Sequence, residues 1–110
     1  MVTVREAIEQ GDLTAFEEVL APDVVWVGLW PGQLCRNRDE VIEMLKHAQT
    51  GGIEAHPEIV RDEGDRFVVD PHIPIDERHQ VFVLTEEGVV SEVRAYPTRA
   101  AAFAAMEPPW

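Results

Sequence analysis

Along this chain the apolar residues first recur at helical spacing and later at strand spacing, with the change near Gly52. Thr3-Val4-Arg5-Glu6 has the S/T-x-x-E form of a capping box, in which hydroxyl and carboxylate satisfy N–H groups of a first helical turn, so a helix starts at Thr3. Gly11 stands where a left-handed residue would end it. Asp12 caps a second helix with Leu13, Phe16 and Leu20 as its buried stripe, and Pro22 stops it. The run DVVWVGL, Asp23 to Leu29, is rich in β-branched and aromatic residues and predicts a first strand. Trp30 to Cys35 reads as a loop broken at Pro31-Gly32. Asn37, with Glu40 three residues on, caps a third helix that carries Val41, Ile42, Leu45 and Ala48 on one side and stops at Gly51-Gly52.

After Gly52 the chain predicts strands. Ile53 to Arg61 is the first, with Pro57 marking a bulge or an edge position because proline cannot donate to a ladder. Glu63-Gly64-Asp65 is a turn, and Phe67-Val68-Val69 opens the next strand. Asp70 to Asp76 holds two prolines and leaves the ladder. Gln80 to Thr85 and Val89 to Tyr96 form a hairpin around Glu86-Glu87-Gly88. Arg99 to Met106 makes a closing helical turn or two, and Glu107 to Trp110 frays. Helices grouped before hairpins predict an α+β fold: a curved, mostly antiparallel sheet wrapped around N-terminal helices to form a cone with a central pocket.

Length and charge narrow the picture. A chain of 110 residues is a single domain, expected to span 1–110, with enough core to need no disulfide or metal staple. Acidic residues outnumber basic ones 21 to 9, for a net charge of −12, and no basic stripe exists to neutralise phosphates. Nucleic acid and anionic membranes are therefore excluded as partners. Cys35 is alone, which rules out an intrachain disulfide and a thiolate metal cluster and fits a reducing, cytoplasmic setting. The N-terminus lacks the pattern of a signal peptide, and no apolar run approaches the roughly 20 residues that span a bilayer.

Three segments carry a resemblance: AIEQGDLTAFEEVLAPDVVW from Ala7 to Trp26, CRNRDEVIEML from Cys35 to Leu45, and GVVSEVRAYPTRAAAFAAM from Gly88 to Met106. With the element order, they make the chain similar to the nuclear transport factor 2-like superfamily, in its SnoaL-like (polyketide cyclase-like) branch. The resemblance implies a cone-shaped fold and a homodimer formed across the sheet. It does not fix function, because the superfamily holds isomerases, cyclases, epoxide hydrolases, dehydratases and pure binding modules. Matched to the ketosteroid isomerase-like members, LAPDVVWVGLWPG puts Gly28 where a carboxylate base would stand. Matched to the epoxide hydrolase-like members, EVRAYPTR puts Ala95 where an acid would stand. Neither residue can accept a proton.

The remaining candidates are polar and aromatic. Trp26 alternates with Val25 and Val27, shares a face with Gly28, and is read as a ligand-binding wall or as core filling. Trp30 is a rim, dimer-contact or ligand-stacking residue. Asp70, His72 and His79 bring a carboxylate beside imidazoles, the usual unit of acid/base catalysis, or else form a solvated loop. Read as metal ligands together with His56, they lack a close pair at a recognised spacing, so no metal and no cofactor are expected. Arg94 and Tyr96 share one face of the last strand with Glu92. If that face lines the cavity, Tyr96 donates to a carbonyl and Arg94 binds a carboxylate; if it faces a dimer partner, Arg94 and Glu92 pair there. His56 joins Trp26, Trp30 and Arg94 as a ligand-binding candidate. Three functions follow: binding of a hydrophobic small molecule without a base of its own, acid/base catalysis on a carbonyl- or hydroxyl-bearing molecule, or a dimeric assembly module.

Overall fold

The structure, a computed structural model, describes residues 3–30, 32–52, 56–73 and 76–106. Helices α1 (Val4–Gln10) and α2 (Leu13–Glu18) lead into β1 (Leu20–Val27) and β2 (Leu34–Cys35), followed by α3 (Arg38–Thr50). Then come β3 (Glu58–Asp62), β4 (Arg66–Asp70), β5 (His79–Leu84), β6 (Val90–Tyr96) and α4 (Arg99–Ala105). The strands form one sheet in the order β2-β1-β6-β5-β4-β3. Its pairs are antiparallel except β1 with β6, which run parallel. The fold is α+β, with helices α1 to α3 on one face of an open, curved sheet.

Local chemistry sets the helix starts. Thr3 accepts from the Glu6 N–H, Asp12 from the Thr14 N–H and Asn37 from the Glu40 N–H, each satisfying a donor with no partner inside its helix. Gly11 closes α1 at φ +68°, a left-handed conformation that costs glycine little. The second helix is shorter than its apolar stripe suggests. Leu20 is the first residue of β1 and not a helical one, because the Val19 carbonyl accepts from the Val90 N–H at 2.8 Å. Pairing with β6 thus captures the chain before another helical turn forms. Pro22 lies inside β1, where the register with β6 shifts between Leu20 and Val25, so the missing proline donor falls in a gap of the ladder. Pro57, expected to mark a bulge or an edge position, immediately precedes the edge strand β3, and the bulge itself lies between Ile59 and Arg61. Cys35, expected in a loop, pairs with Trp26 in β2. The expectations for Ile53 to Ala55 and for Glu107 to Trp110 lie outside the described residues.

Two apolar layers flank the sheet. On the helix side Val24, Val41, Phe67, Val90 and Val93 are all 0% exposed, packed with Phe16, Trp26 and Phe82. On the opposite side α4 covers Val68 and Val81 with Ala102 and Met106. Thr98 caps α4 by accepting from the Ala101 N–H. Arg5 ties α1 to the far edge of the sheet, with its guanidinium bonded to both Asp62 carboxylate oxygens and lying 5.2 Å from the Phe67 ring centroid. That hydrogen bonding holds the Asp62 carboxyl at a pKa of about 2. The pair is partly exposed and fixes the placement of α1 more than it adds stability.

Phe82 joins these parts: its ring lies 6.2 Å from Phe16 of α2, 6.2 Å from Trp26 of β1 and 5.9 Å from Phe67 of β4, centroid to centroid. Truncation to Phe82→Ala is expected to lower the unfolding free energy by about 3–5 kcal/mol in urea denaturation. Phe103→Ala, on the half-buried outer layer, should cost clearly less. Equal losses would show that Phe82 has no special place in the core.

Candidate functional site

Strand alternation places two rows of side chains on the helix-facing side of the sheet. One row runs Trp26–Val93–Phe82–Phe67 across β1, β6, β5 and β4. The next runs Gly28–Ala95–Gln80–Val69, since Val27 pairs with Arg94, Gln80 with Ala95 and Val69 with Gln80. The first row is bulky and forms a floor. In the second, Ala95 has only a methyl group, so a hollow remains where a larger residue would close the core.

That hollow is a cavity of about 670 Å³. Its walls are Ile8, Leu13 and Phe16 from the first two helices, Met44 and Leu45 from α3, and Trp26, Phe82 and Ala95 from the sheet. Polar groups are few. Gln80 projects from the second row, Arg78 precedes it by two residues on the same parity, and Gln33, Gln49, Asp12 and His56 complete the lining. Asp12 is exposed and its Oδ1 is engaged in capping α2 at 2.9 Å. His56 is exposed.

Gln33 explains why position 28 is glycine. A Cβ added there would meet the Gln33 Cβ and Oε1 at 2.5 Å each, so the glutamine side chain occupies the stem of any residue at that place. The Gly28 N–H donates to the Gln33 carbonyl at 2.7 Å, and the Trp30 N–H donates to Gln33 Oε1 at 3.3 Å, which holds the amide there. A neutral carboxamide thus stands where the resemblance expects a carboxylate.

Arg78 is fixed from its outer side. Its Nε and Nη2 bond the Asp76 carboxylate at 2.9 and 2.7 Å, and the guanidinium holds the Asp76 carboxyl below its ordinary range. Asp76 does not line the cavity whereas Arg78 does, so the guanidinium separates the carboxylate from the hollow.

The site residues expected from sequence divide between the two faces. Trp26 lines the cavity at 6% exposure, and His56 lies at its rim. Trp30 is 62% exposed on the β1–β2 hairpin and does not line the cavity. Arg94 and Tyr96 project from the other face, because Ala95 between them faces the cavity. Tyr96 packs beside the outer cluster of Val68, Val81, Ala102 and Met106, and Arg94 lies 3.6 Å from Glu92 at the surface. Asp70, His72 and His79 do converge, but also on the outer face beside α4. Asp70 Oδ2 is 3.4 Å from His79 Nε2, 3.5 Å from His72 Nδ1 and 3.6 Å from Arg99 Nη2.

That outer cluster is well satisfied. His79 Nδ1 faces the Glu77 carbonyl at 2.8 Å, which can only accept, so Nδ1 carries the proton and Nε2 accepts from Arg99 Nε at 3.2 Å. His72 is held at φ +52° by its N–H bonding Asp70 Oδ1, and its Nε2 meets Glu58 at 2.9 Å. The guanidinium of Arg99 stands where a cation bridging Asp70 and His79 would lie. Among the described residues no group of three or more His, Cys, Asp or Glu is arranged to hold a metal ion. The buried Cys35 Sγ lies 3.8 Å from Met44 Sδ, and desolvation, with Glu40 nearby, raises its thiol pKa away from reactivity. No described helix is long and apolar enough to cross a membrane.

Sequence reading alone missed Gln33, Arg78 and Gln80. The alternation of Gln80 with Phe82 was available as a signal. The loop positions of Gln33 and Arg78 offered none.

A sheet curved over three helices, with a hollow between them, defines the nuclear transport factor 2-like class of α+β folds. Within it, residues 3–103 match the SnoaL-like domain model, and the chain belongs to that family. Solved structures agree in fold. A putative polyketide cyclase from Sinorhizobium meliloti is 20% identical over 84% of this chain and 89% of its own, with a TM-score of 0.60. An uncharacterized protein with a cystatin-like fold from Silicibacter pomeroyi is 22% identical over 94% and 79%, with a TM-score of 0.65. A protein with a ketosteroid isomerase-like fold from Catenulispora acidiphila, solved in complex with trimethylamine, is 16% identical over 97% and 95%, with a TM-score of 0.57. No curated protein matches the chain. Identities this low establish the fold and leave the chemistry to the side chains.

The contact between positions 28 and 33 is testable as a coupled pair. Gly28→Ala should lose about 1–3 kcal/mol of stability through overpacking. Gln33→Gly in the same chain, which removes both the Cβ and the amide from that space, should recover most of that loss relative to Gln33→Gly alone, read as a double-mutant cycle in chemical denaturation. Additive losses would show that the glutamine does not fill the space.

Proposed function

We propose that this protein binds a small, largely apolar molecule in the cavity between the helices and the sheet, and does so without a carboxylate base of its own. The observation that carries this reading is the row Gly28–Ala95–Gln80–Val69: the bare methyl of Ala95 leaves a hollow above an aromatic floor, the Gln33 side chain takes the place of one at Gly28, and a neutral amide is the polar group in the row. Walls that are mostly apolar with a few placed polar groups, around about 670 Å³, match the usual form of a small-molecule site. The neighbour solved with trimethylamine supports ligand binding by this fold. Asp70, His72, His79 and Tyr96 lie across the sheet from this cavity, so none of them offers an acid or a base to a molecule bound in it. The lone Cys35 is in keeping with a reducing cytoplasmic setting.

The neutral apolar dye N-phenyl-1-naphthylamine is the probe. The native protein should bind it saturably with enhanced fluorescence. At 100 times Kd the dye should raise the melting temperature on the order of 5–15 °C. Ala95→Phe, which fills the hollow, should abolish both effects while the protein stays folded by circular dichroism. Undiminished binding by Ala95→Phe would place the dye elsewhere and sink the reading.

A homodimer is the second part of the proposal. Trp30 and Leu34 are the large apolar residues most exposed among those described, at 62% and 44%, and both belong to the β1–β2 hairpin. Helix α4 packs on β4, β5 and β6, leaving the outer face of β1, with Val25 and Val27, outside its cover. Light scattering at micromolar concentration should give twice the chain mass, and Trp30→Ser with Leu34→Ser should return it to one. A native monomer at these concentrations would refute the dimer.

A further inference from the structure

We infer that the cavity selects an apolar carboxylate, bound with its head at Arg78 and Gln80 and its body against Phe82 and Trp26. The inference rests on the proposed cavity function and names its ligand class.

Arg78, Gln80 and Phe82 alternate along one line of β5 and its approach, so they present a cation, an amide and an aromatic ring in succession to the same hollow. A guanidinium has two hydrogen-bonding edges. Asp76 takes the Nε/Nη2 edge of Arg78 from outside the cavity. No described residue accepts from the remaining Nη1/Nη2 edge, a pair of parallel donors whose geometry matches a carboxylate. The Arg78 side chain is only 16% exposed, so an oxygen pair placed there would be bound in a site largely shielded from water. Asp76 holds the guanidinium plane and lowers the cost of orienting it for a ligand.

The other cavity groups fit the same ligand. The Gln80 amide and the indole N–H of Trp26 have no hydrogen-bond partner among the described residues, and both can donate to oxygen. The carboxylate in the lining, Asp12, caps α2 at an exposed position. An amine or a cation would find little to pair with inside. The net charge of −12 opposes an anion at long range, but screening confines that repulsion to about 8 Å at physiological salt, so the near pair with Arg78 decides.

Isothermal titration of the native protein with 2-naphthoate and with its neutral isostere 2-naphthamide tests the assignment. The acid should bind at least about tenfold more tightly than the amide, the scale of a charge-assisted contact. Arg78→Met should erase that preference by weakening the acid alone, and Arg78→Lys should retain part of it. Gln80→Leu, which leaves the Asp76 pair intact, should also weaken the acid and so provides a test should Arg78→Met fail to fold. If acid and amide bind alike, if the preference survives Arg78→Met, or, where that variant does not fold, if Gln80→Leu leaves the affinity for the acid unchanged, the carboxylate assignment is overturned while the apolar cavity stands. If neither compound nor the neutral dye binds, the cavity reading falls and this one with it.

Discussion

The ring of Phe82 touches an aromatic side chain from each part that must meet for the cone to exist: Phe16 from the helical entry, Trp26 from the first strand and Phe67 from the outer half of the sheet. These contacts are non-local in sequence, and they set the distance between helices and sheet at one level of the fold. One row further along, the methyl of Ala95 cannot maintain that contact, and a hollow opens. The cavity is therefore the consequence of an aromatic floor beside a row of small residues, and needs no loop or lid to create it. The β5 line that supplies the floor also supplies Gln80, and Arg78 stands on its approach with the same parity, so the anchor of the fold and the polar part of the site adjoin along one line.

The two faces of the sheet have different chemistry. The helix side is apolar with few polar groups. The α4 side gathers Asp70, His72, His79 and Arg99 at the base of a short helix, with Arg99 bonded to His79 and Asp70 Oδ2 3.4–3.6 Å from the other three. A buried imidazole bonded at both nitrogens, with a guanidinium beside a carboxylate, is a well-satisfied structural network. It ties α4 to β4 and β5. Clustering of acid/base residues in sequence thus marks a packing joint here, one sheet thickness away from the hollow.

What could be read in the sequence was what depends on neighbours along the chain. Thr3, Asp12 and Asn37 cap helices through bonds that close within three residues, and the order of elements followed from hydrophobic spacing. Helical spacing extends α2 to Leu20, whereas the group that ends the helix is Val90, far away in sequence. Cys35 was placed in a loop because its partner is Trp26 across a hairpin. Alternation showed that Arg94 and Tyr96 share a face but not which face, since that is decided by the register of β6 against β5 and β1. Arg78 and Gln33 had no periodic pattern to announce them, as both lie outside regular strands.

Gln33 over Gly28 has a consequence for how this scaffold can change over generations. A carboxylate at position 28 would have to arrive into space already held by a residue of the same hairpin, so the first of the two necessary substitutions is a steric conflict. Losing the glutamine first would instead open the end of β1 with no immediate gain. Either single change disturbs the hairpin before the pair is complete, so the cavity is more readily altered in what it holds than converted to proton transfer at that strand.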